Sequence, residues 1–82
     1  MTARIPPMQA LRALEAAART GSLTRAAEAL SVTHGAISHQ IKALEAMVGV
    51  PLIERAGRGI RMTDDGERLA TRVRAALADV AD

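Results

Sequence analysis

The spacing of apolar positions changes repeatedly along this chain, and each change marks an element. Met8, Leu11, Leu14 and Ala18 recur at helical intervals, which predicts a core-facing first helix. Pro6-Pro7 opens it, proline being acceptable at the first helical position, and Thr20-Gly21 closes it. Ser22 is a good N-cap for a second, short helix carrying Leu23, Ala26, Ala27 and Leu30, which Ser31-Val32-Thr33 interrupts. Thr33 caps a third helix that Gly49 and Val50-Pro51 terminate. On a wheel, Ile37, Ile41, Leu44 and Val48 share one side of this helix, and Gly35, Ser38, His39 and Lys42 share the other. The small Ala27 suits close approach of the second and third helices, so the pair has the spacing of a helix-turn-helix.

After Gly49 the pattern turns extended. Val50 to Arg55 and Ile60-Arg61-Met62 read as two strands around a turn at Ala56-Gly57-Arg58-Gly59, a small β-hairpin with Arg58 at its tip. Thr63 then caps a last helix whose first turn holds Asp64 and Asp65, where the helix dipole favours acids. Leu69, Val73, Ala76 and Val80 follow 4-3-4 spacing with Leu77 beside them, a coiled-coil seam on a helix otherwise bearing Arg68, Arg72 and Arg74. No earlier stretch is evidently placed to cover that seam, so it is expected to meet a second copy. Met8 and Met47 read as flexible core filler.

Composition narrows the class. The 82 residues make one domain, which folding alone would leave with only roughly 60% of its unfolded surface buried, so a partner chain would help. Apolar content of 49% with 24% charge is globular, and the absence of cysteine excludes disulfides and thiolate zinc sites. No apolar run reaches the roughly 18 residues of a membrane span, and Met1 to Pro7 lacks the apolar core of a leader, so a cytoplasmic location is expected. The net charge of +2 says little, but its distribution is uneven. Arg55, Arg58 and Arg61 cluster without an intervening acid, whereas Asp64, Asp65 and Glu67 crowd the next stretch. The absence of Phe, Tyr and Trp disfavours RNA and single strands, which are usually held by stacking, and leaves duplex DNA as the preferred nucleic acid.

The polar side of the third helix carries a hydroxyl, an imidazole and an ammonium, and no carboxylate occurs between Ala29 and Leu44. Such a face would not repel phosphates, and the second helix of a helix-turn-helix puts its N-terminal residues against base edges in the major groove. Residue chemistry alone also allows an ordinary helical hairpin with a solvated face, and a solvated loop arginine at position 58. His34 and His39 are five residues apart and lack acidic or thiol neighbours, so no metal site is expected. Ser38 and His39 diverge by about 100° on a helix with no acid to orient the imidazole, so catalysis is not expected. Gly57, Gly59 and Met62 fail the dinucleotide spacing, and no cofactor is expected.

The stretch SLTRAAEALSVTHGAISHQIKALEAMVGVPLIERAGRGIRMTDDG, within Leu11 to Gly66, resembles the N-terminal DNA-binding domain of LysR-type transcriptional regulators. PPMQALRALEAAAR and VTHGAIS are similar to the branch that regulates glycine cleavage, tryptophan synthase and β-lactamase genes. The resemblance implies a mainly α fold: a winged helix-turn-helix of three helices plus a two-stranded β wing, followed by a long linker helix that pairs with a second subunit. It divides the chain into a DNA-binding part at 1–62, with the helix-turn-helix at about 23–42 and the wing at about 52–62, and a dimerisation helix at 63–82. Binding to duplex DNA is implied, as dimers or tetramers, at an interrupted inverted repeat of the T-N11-A kind. By position, Thr33, His34, Gly35, Ser38 and His39 would meet bases and nearby phosphates, Thr24 and Arg25 the backbone, and Arg58 the wing contact. Lys42 joins them from the wheel alone. Many members have arginine where His39 stands and phenylalanine where Ile53 stands, and full-length members continue into a large effector-binding domain that these residues do not include. Because Asp82 falls inside a helix rather than after a stop signal, the chain is expected to be a piece of a longer protein. The competing reading keeps the fold but uses the last helix for protein assembly without DNA readout.

Overall fold

The computed structural model describes residues 6–81. Residues 1–5, most of the stretch read for a leader, and residue 82, the far end of the expected dimerisation segment, lie outside the described residues. The elements are α1 (Met8–Thr20), α2 (Leu23–Leu30), α3 (His34–Val48), β1 (Ile53–Ala56), β2 (Gly59–Met62) and α4 (Asp64–Ala81). This is the mainly α winged helix-turn-helix read from the sequence.

Helix α1 is the centre of the packing and touches α2, α3 and α4. Its buried residues are Ala10, Ala13, Leu14, Ala16 and Ala17, a wider and smaller-volumed face than the stripe of large residues indicated. Alanine's single methyl lets neighbouring backbones approach closely, so three helices can crowd around one. The larger groups come from the neighbours. Ile37 and Ile41 of α3 close a cluster with Ala13, Ala16, Ala17, Ala26 and Ala27. Leu14, Leu44 and Leu52 close a second with Ala10 and Ala70. Two expected core residues are outside: Met8 is 55% exposed and Val48 is 40% exposed. Both lie at the ends of their helices, on the wall of an open groove shared with Leu69, Val73, Ala76 and Leu77 of α4. Pro7 is the N-cap residue of α1 rather than its first helical residue.

The caps read from the sequence are made. Ser22 Oγ accepts from the Arg25 amide at 3.2 Å, and Thr33 Oγ1 from the Ala36 amide at 3.0 Å. The break between them is a complete Schellman closure of α2: the Val32 amide donates to Ala27 O at 3.0 Å and the Ser31 amide to Glu28 O at 3.2 Å. Ser31 sits at the left-handed position with φ 57°. A residue with a Cβ pays about 1–2 kcal/mol there, which the two closing bonds offset.

The hairpin is tighter than the sequence indicated. Ile53 pairs with Met62, Glu54 with Arg61, Arg55 with Ile60 and Ala56 with Gly59. The strands therefore begin at Ile53, not Val50, and the turn is only Gly57-Arg58. Gly57 takes φ 59°, the glycine-first pattern of a type II′ connection, whose twist matches that of the flanking strands. The hairpin is tied to the start of α2, since the Ile60 amide donates to Gly21 O at 3.3 Å. At the other end, the Thr63 amide donates to Leu52 O at 3.0 Å. Thr63 Oγ1 donates to Pro51 O at 2.8 Å while it accepts from the Gly66 amide at 3.0 Å. Any side chain at position 66 would collide with the Leu52 carbonyl.

Helix α4 corrects one expectation. Its first half is not uncovered: Ala70 is fully buried, Val73 is only 6% exposed, and Leu69 is half-buried against the cluster that holds Ala10, Leu14, Leu44 and Leu52. Glu15 of α1 strengthens the docking by accepting from Arg74 of α4 and Arg19 of α1, each at 3.3 Å. The second half is open, with Val80 82% exposed, Ala76 exposed and Leu77 half-buried.

Candidate nucleic-acid interface

Burial of Ile37, Ile41 and Leu44 fixes the roll of α3, and so decides which side chains face away from the domain. His34, Gly35, His39 and Lys42 are exposed, and Ser38 is half-buried on the flank nearest the hairpin. Thr33 is exposed at the cap of the same helix end. Thr24 and Arg25 are exposed in the first turn of α2. Arg58 is exposed at the hairpin tip. The chain thus brings the expected α3 residues onto one open face, with α2 and the hairpin contributing separate outcrops. The start of α3 adds amide groups and the positive end of a helix dipole to that face.

The charges sort themselves by pairing. Glu54 Oε1 takes Nη2 of Arg61 at 2.7 Å and its Nε at 3.0 Å across the hairpin. Arg68 pairs with Asp65 at 3.9 Å, and Arg19 and Arg74 share Glu15. Among the described residues, Arg12, Arg25, Lys42, Arg55, Arg58 and Arg72 make no ion pair. Four of these six bases lie on α2, α3 and the hairpin, the elements around the open α3 face, while Arg12 lies on α1 and Arg72 on α4. Among the described residues there is no cluster of metal-ligating side chains.

Sequence reasoning missed the group that fixes the hairpin against α3. Glu45 Oε2 accepts the Leu52 amide at 2.7 Å and the Ile53 amide at 3.3 Å. Its partners are backbone groups seven and eight positions away, and backbone partners leave no residue signature. Gly59 was also missed as a contact: a Cβ there would approach the Gly21 carbonyl to 2.7 Å, so the hairpin comes against the α1–α2 junction backbone to backbone.

A capped helix pair joined by a tight turn, followed by a two-stranded hairpin beside the second helix, defines the winged helix-turn-helix class. Residues 8–67 match the family described as bacterial regulatory helix-turn-helix protein, lysR family. The chain belongs to the LysR family. It is similar to the transcriptional regulator TrpI of Pseudomonas aeruginosa, with 52% identity over 69 residues, covering 84% of this chain and 23% of TrpI. It is also similar to the glycine cleavage system transcriptional activator of Escherichia coli, with 51% identity over 67 residues, covering 82% of this chain and 22% of that protein. The chain therefore spans less than a quarter of the length of these two relatives. They are regulators, not enzymes, and the second meets the glycine-cleavage part of the expected branch. Among solved structures, a CbnR DBD–DNA complex superposes with a TM-score of 0.84 at 35% identity, covering 92% of this chain and 86% of that one.

Removing the Glu45 carboxylate should loosen the hairpin while leaving α3 formed. Glu45→Ala leaves two backbone donors without their acceptor and is expected to cost about 1–3 kcal/mol in denaturant melts. Glu45→Gln keeps an acceptor oxygen but not its charge, and should cost less. Hydrogen exchange at Leu52 and Ile53 should accelerate in Glu45→Ala more than at Ile41. Unchanged exchange at both amides would show that the carboxylate does not hold the strand.

Proposed function

We propose that this chain is the DNA-binding part of a dimeric bacterial transcriptional regulator that works in the cytoplasm. The observation that carries the reading is the open face of α3, free of acids and rolled outward by the burial of Ile37, Ile41 and Leu44. Helix α3 enters the major groove, with Gly35 and His39 against base edges and Ser38 on the flank toward the wing. Thr33 and His34 meet bases or adjoining phosphates, and Lys42 meets the backbone. Thr24 and Arg25 approach the backbone from α2. Arg58 reaches a minor groove or a phosphate from the wing, since the two-residue turn holds it at the tip. The similarity to a regulator domain solved with DNA supports this assignment, as do relatives that are regulators and activators.

The partner site is an interrupted inverted repeat of the T-N11-A kind, and two half-sites call for two copies of the domain. The second copy packs on the open half of α4. There, Met8, Leu11, Met47, Leu69, Val73, Ala76 and Leu77 line an apolar groove of about 530 Å³, and Val80 lies beyond it. Helix α4 is accordingly divided: residues up to Val73 complete the domain's own core, and Ala76, Leu77 and Val80 with the outer edge of Leu69 form the seam. A full-length form would pair such dimers into a tetramer.

Anisotropy titration against mixed-sequence duplex at two salt concentrations tests DNA binding. Wild type should bind, more weakly at higher salt. Arg58→Ala should lower the salt slope by about one unit if the arginine meets a phosphate. A minor-groove arginine would instead lose most on sites with a narrow A·T groove. Absence of any duplex binding by a folded wild type would leave a protein-assembly module.

The dimer is tested at Val80 rather than Val73, because an aspartate at 73 would enter the domain's own core and unfold it. Val80→Asp should sediment as a monomer with an unchanged melting profile at low concentration. A dimer that survives the substitution would put the seam elsewhere.

A further inference from the structure

A cleft of about 230 Å³ separates the recognition helix from the wing, and Arg55 stands on its wall with Ser38 and Lys42 opposite. We infer that this cleft is a phosphate seat, and that Arg55 is a further DNA contact alongside those on α3 and at the wing tip. The inference rests on the DNA-binding reading and adds a residue that neither the helical wheel nor the family pattern singled out.

Strand register puts Arg55 there. It is paired with Ile60 and lies two residues from Ile53, so the three side chains share one face of the hairpin. Ile53 and Ile60 pack against the core, which turns that face toward α3. Arg55 continues the same face past the end of the apolar contact, while Glu54 and Arg61 occupy the opposite face and hold each other.

The charges around the cleft favour an anion. The cleft has two acids: Glu45 is engaged by the Leu52 and Ile53 amides, and Glu54 turns its carboxylate to the Arg61 guanidinium on the far face of the hairpin. Its two bases, Lys42 and Arg55, have no ion-pair partner among the described residues, and Ser38 adds a hydroxyl donor. A guanidinium, an ammonium and a hydroxyl converging from two sides match the several acceptor oxygens of one phosphodiester. The seat is placed relative to α3 by Glu45, which holds the hairpin against that helix. Its occupant is the backbone strand that runs between the major groove entered by α3 and the minor groove beside the wing. Such a contact sets register and affinity without reading sequence.

The test is binding of Arg55→Gln, Arg55→Lys and Lys42→Gln to one mixed-sequence duplex and one duplex carrying a selected site, each over a range of salt. Arg55→Gln should weaken binding to both duplexes by about the same factor, on the order of tenfold at low salt, and reduce the salt slope by about one unit. Arg55→Lys should keep the slope and recover part of the affinity. The double variant Arg55→Gln with Lys42→Gln should lose less than the product of the single losses, since both side chains serve one phosphate. Melting curves for each variant establish that the fold is intact; if Arg55→Gln melts early, the Arg55→Lys slope and affinity decide the matter. A loss confined to the selected site would make Arg55 a base contact and overturn the seat, as would an unchanged slope. Failure of wild type to bind any duplex would reject the DNA reading itself, a separate result.

Discussion

The domain depends on how one short extended segment, Pro51–Ile53, is held from both sides. From α3, the Glu45 carboxylate accepts the amides of Leu52 and Ile53. From α4, Thr63 takes the Leu52 carbonyl with its amide and the Pro51 carbonyl with its hydroxyl, and Gly66 gives the Leu52 backbone room. The Leu52 side chain meanwhile fills the core with Leu14 and Leu44. Three elements that would otherwise meet only through apolar side chains are thereby locked in angle. That angle matters for function, because a major-groove helix and a wing must meet adjoining parts of one duplex at the same time.

A second regularity concerns charge. Glu15, Glu45 and Glu54 each accept hydrogen bonds within the domain, from arginines or from backbone amides. Exposed ion pairs such as Arg61–Glu54 contribute little stability. Their effect is local: beside the α3 face Glu54 is occupied by Arg61, while Arg25, Lys42, Arg55 and Arg58 have no acid partner among the described residues. A chain of only +2 overall can in this way offer a locally basic surface to phosphates.

Much of this was legible in the residues. Helix boundaries at Ser22, Thr33 and Thr63 were readable because a hydroxyl cap is a local interaction, encoded within three residues of the site it serves. The outward face of α3 followed from periodicity, since Ile37, Ile41 and Leu44 are large and regularly spaced. Where size and spacing part company, pattern reading failed. The face of α1 is made mostly of alanines, too small to stand out, and Met8 looked like core while lining an open groove beside α4. The Schellman closure at Ser31 was hidden because serine, not glycine, takes the left-handed position. Val73 was assigned wholly to a partner seam because heptad spacing does not say which copy covers it. Glu45 was silent because its partners are backbone amides, and Arg55, visible in the sequence only as one of three clustered arginines, could not be put on the α3-facing side of the wing before the strand register was known.

The proposal that the open α3 face and the wing meet one DNA duplex is tested most directly by amide NMR. Nitrogen-15-labelled chain would be titrated with duplex, and the perturbed resonances mapped on the sequence. Changes should concentrate at residues 33–42 and 57–59 and at the first turn of α2, with Ala76 and Val80 on α4 unaffected beyond dimer effects already present without DNA. Perturbations centred on the α4 groove, with Gly35, His39 and Gly57 unmoved, would contradict it.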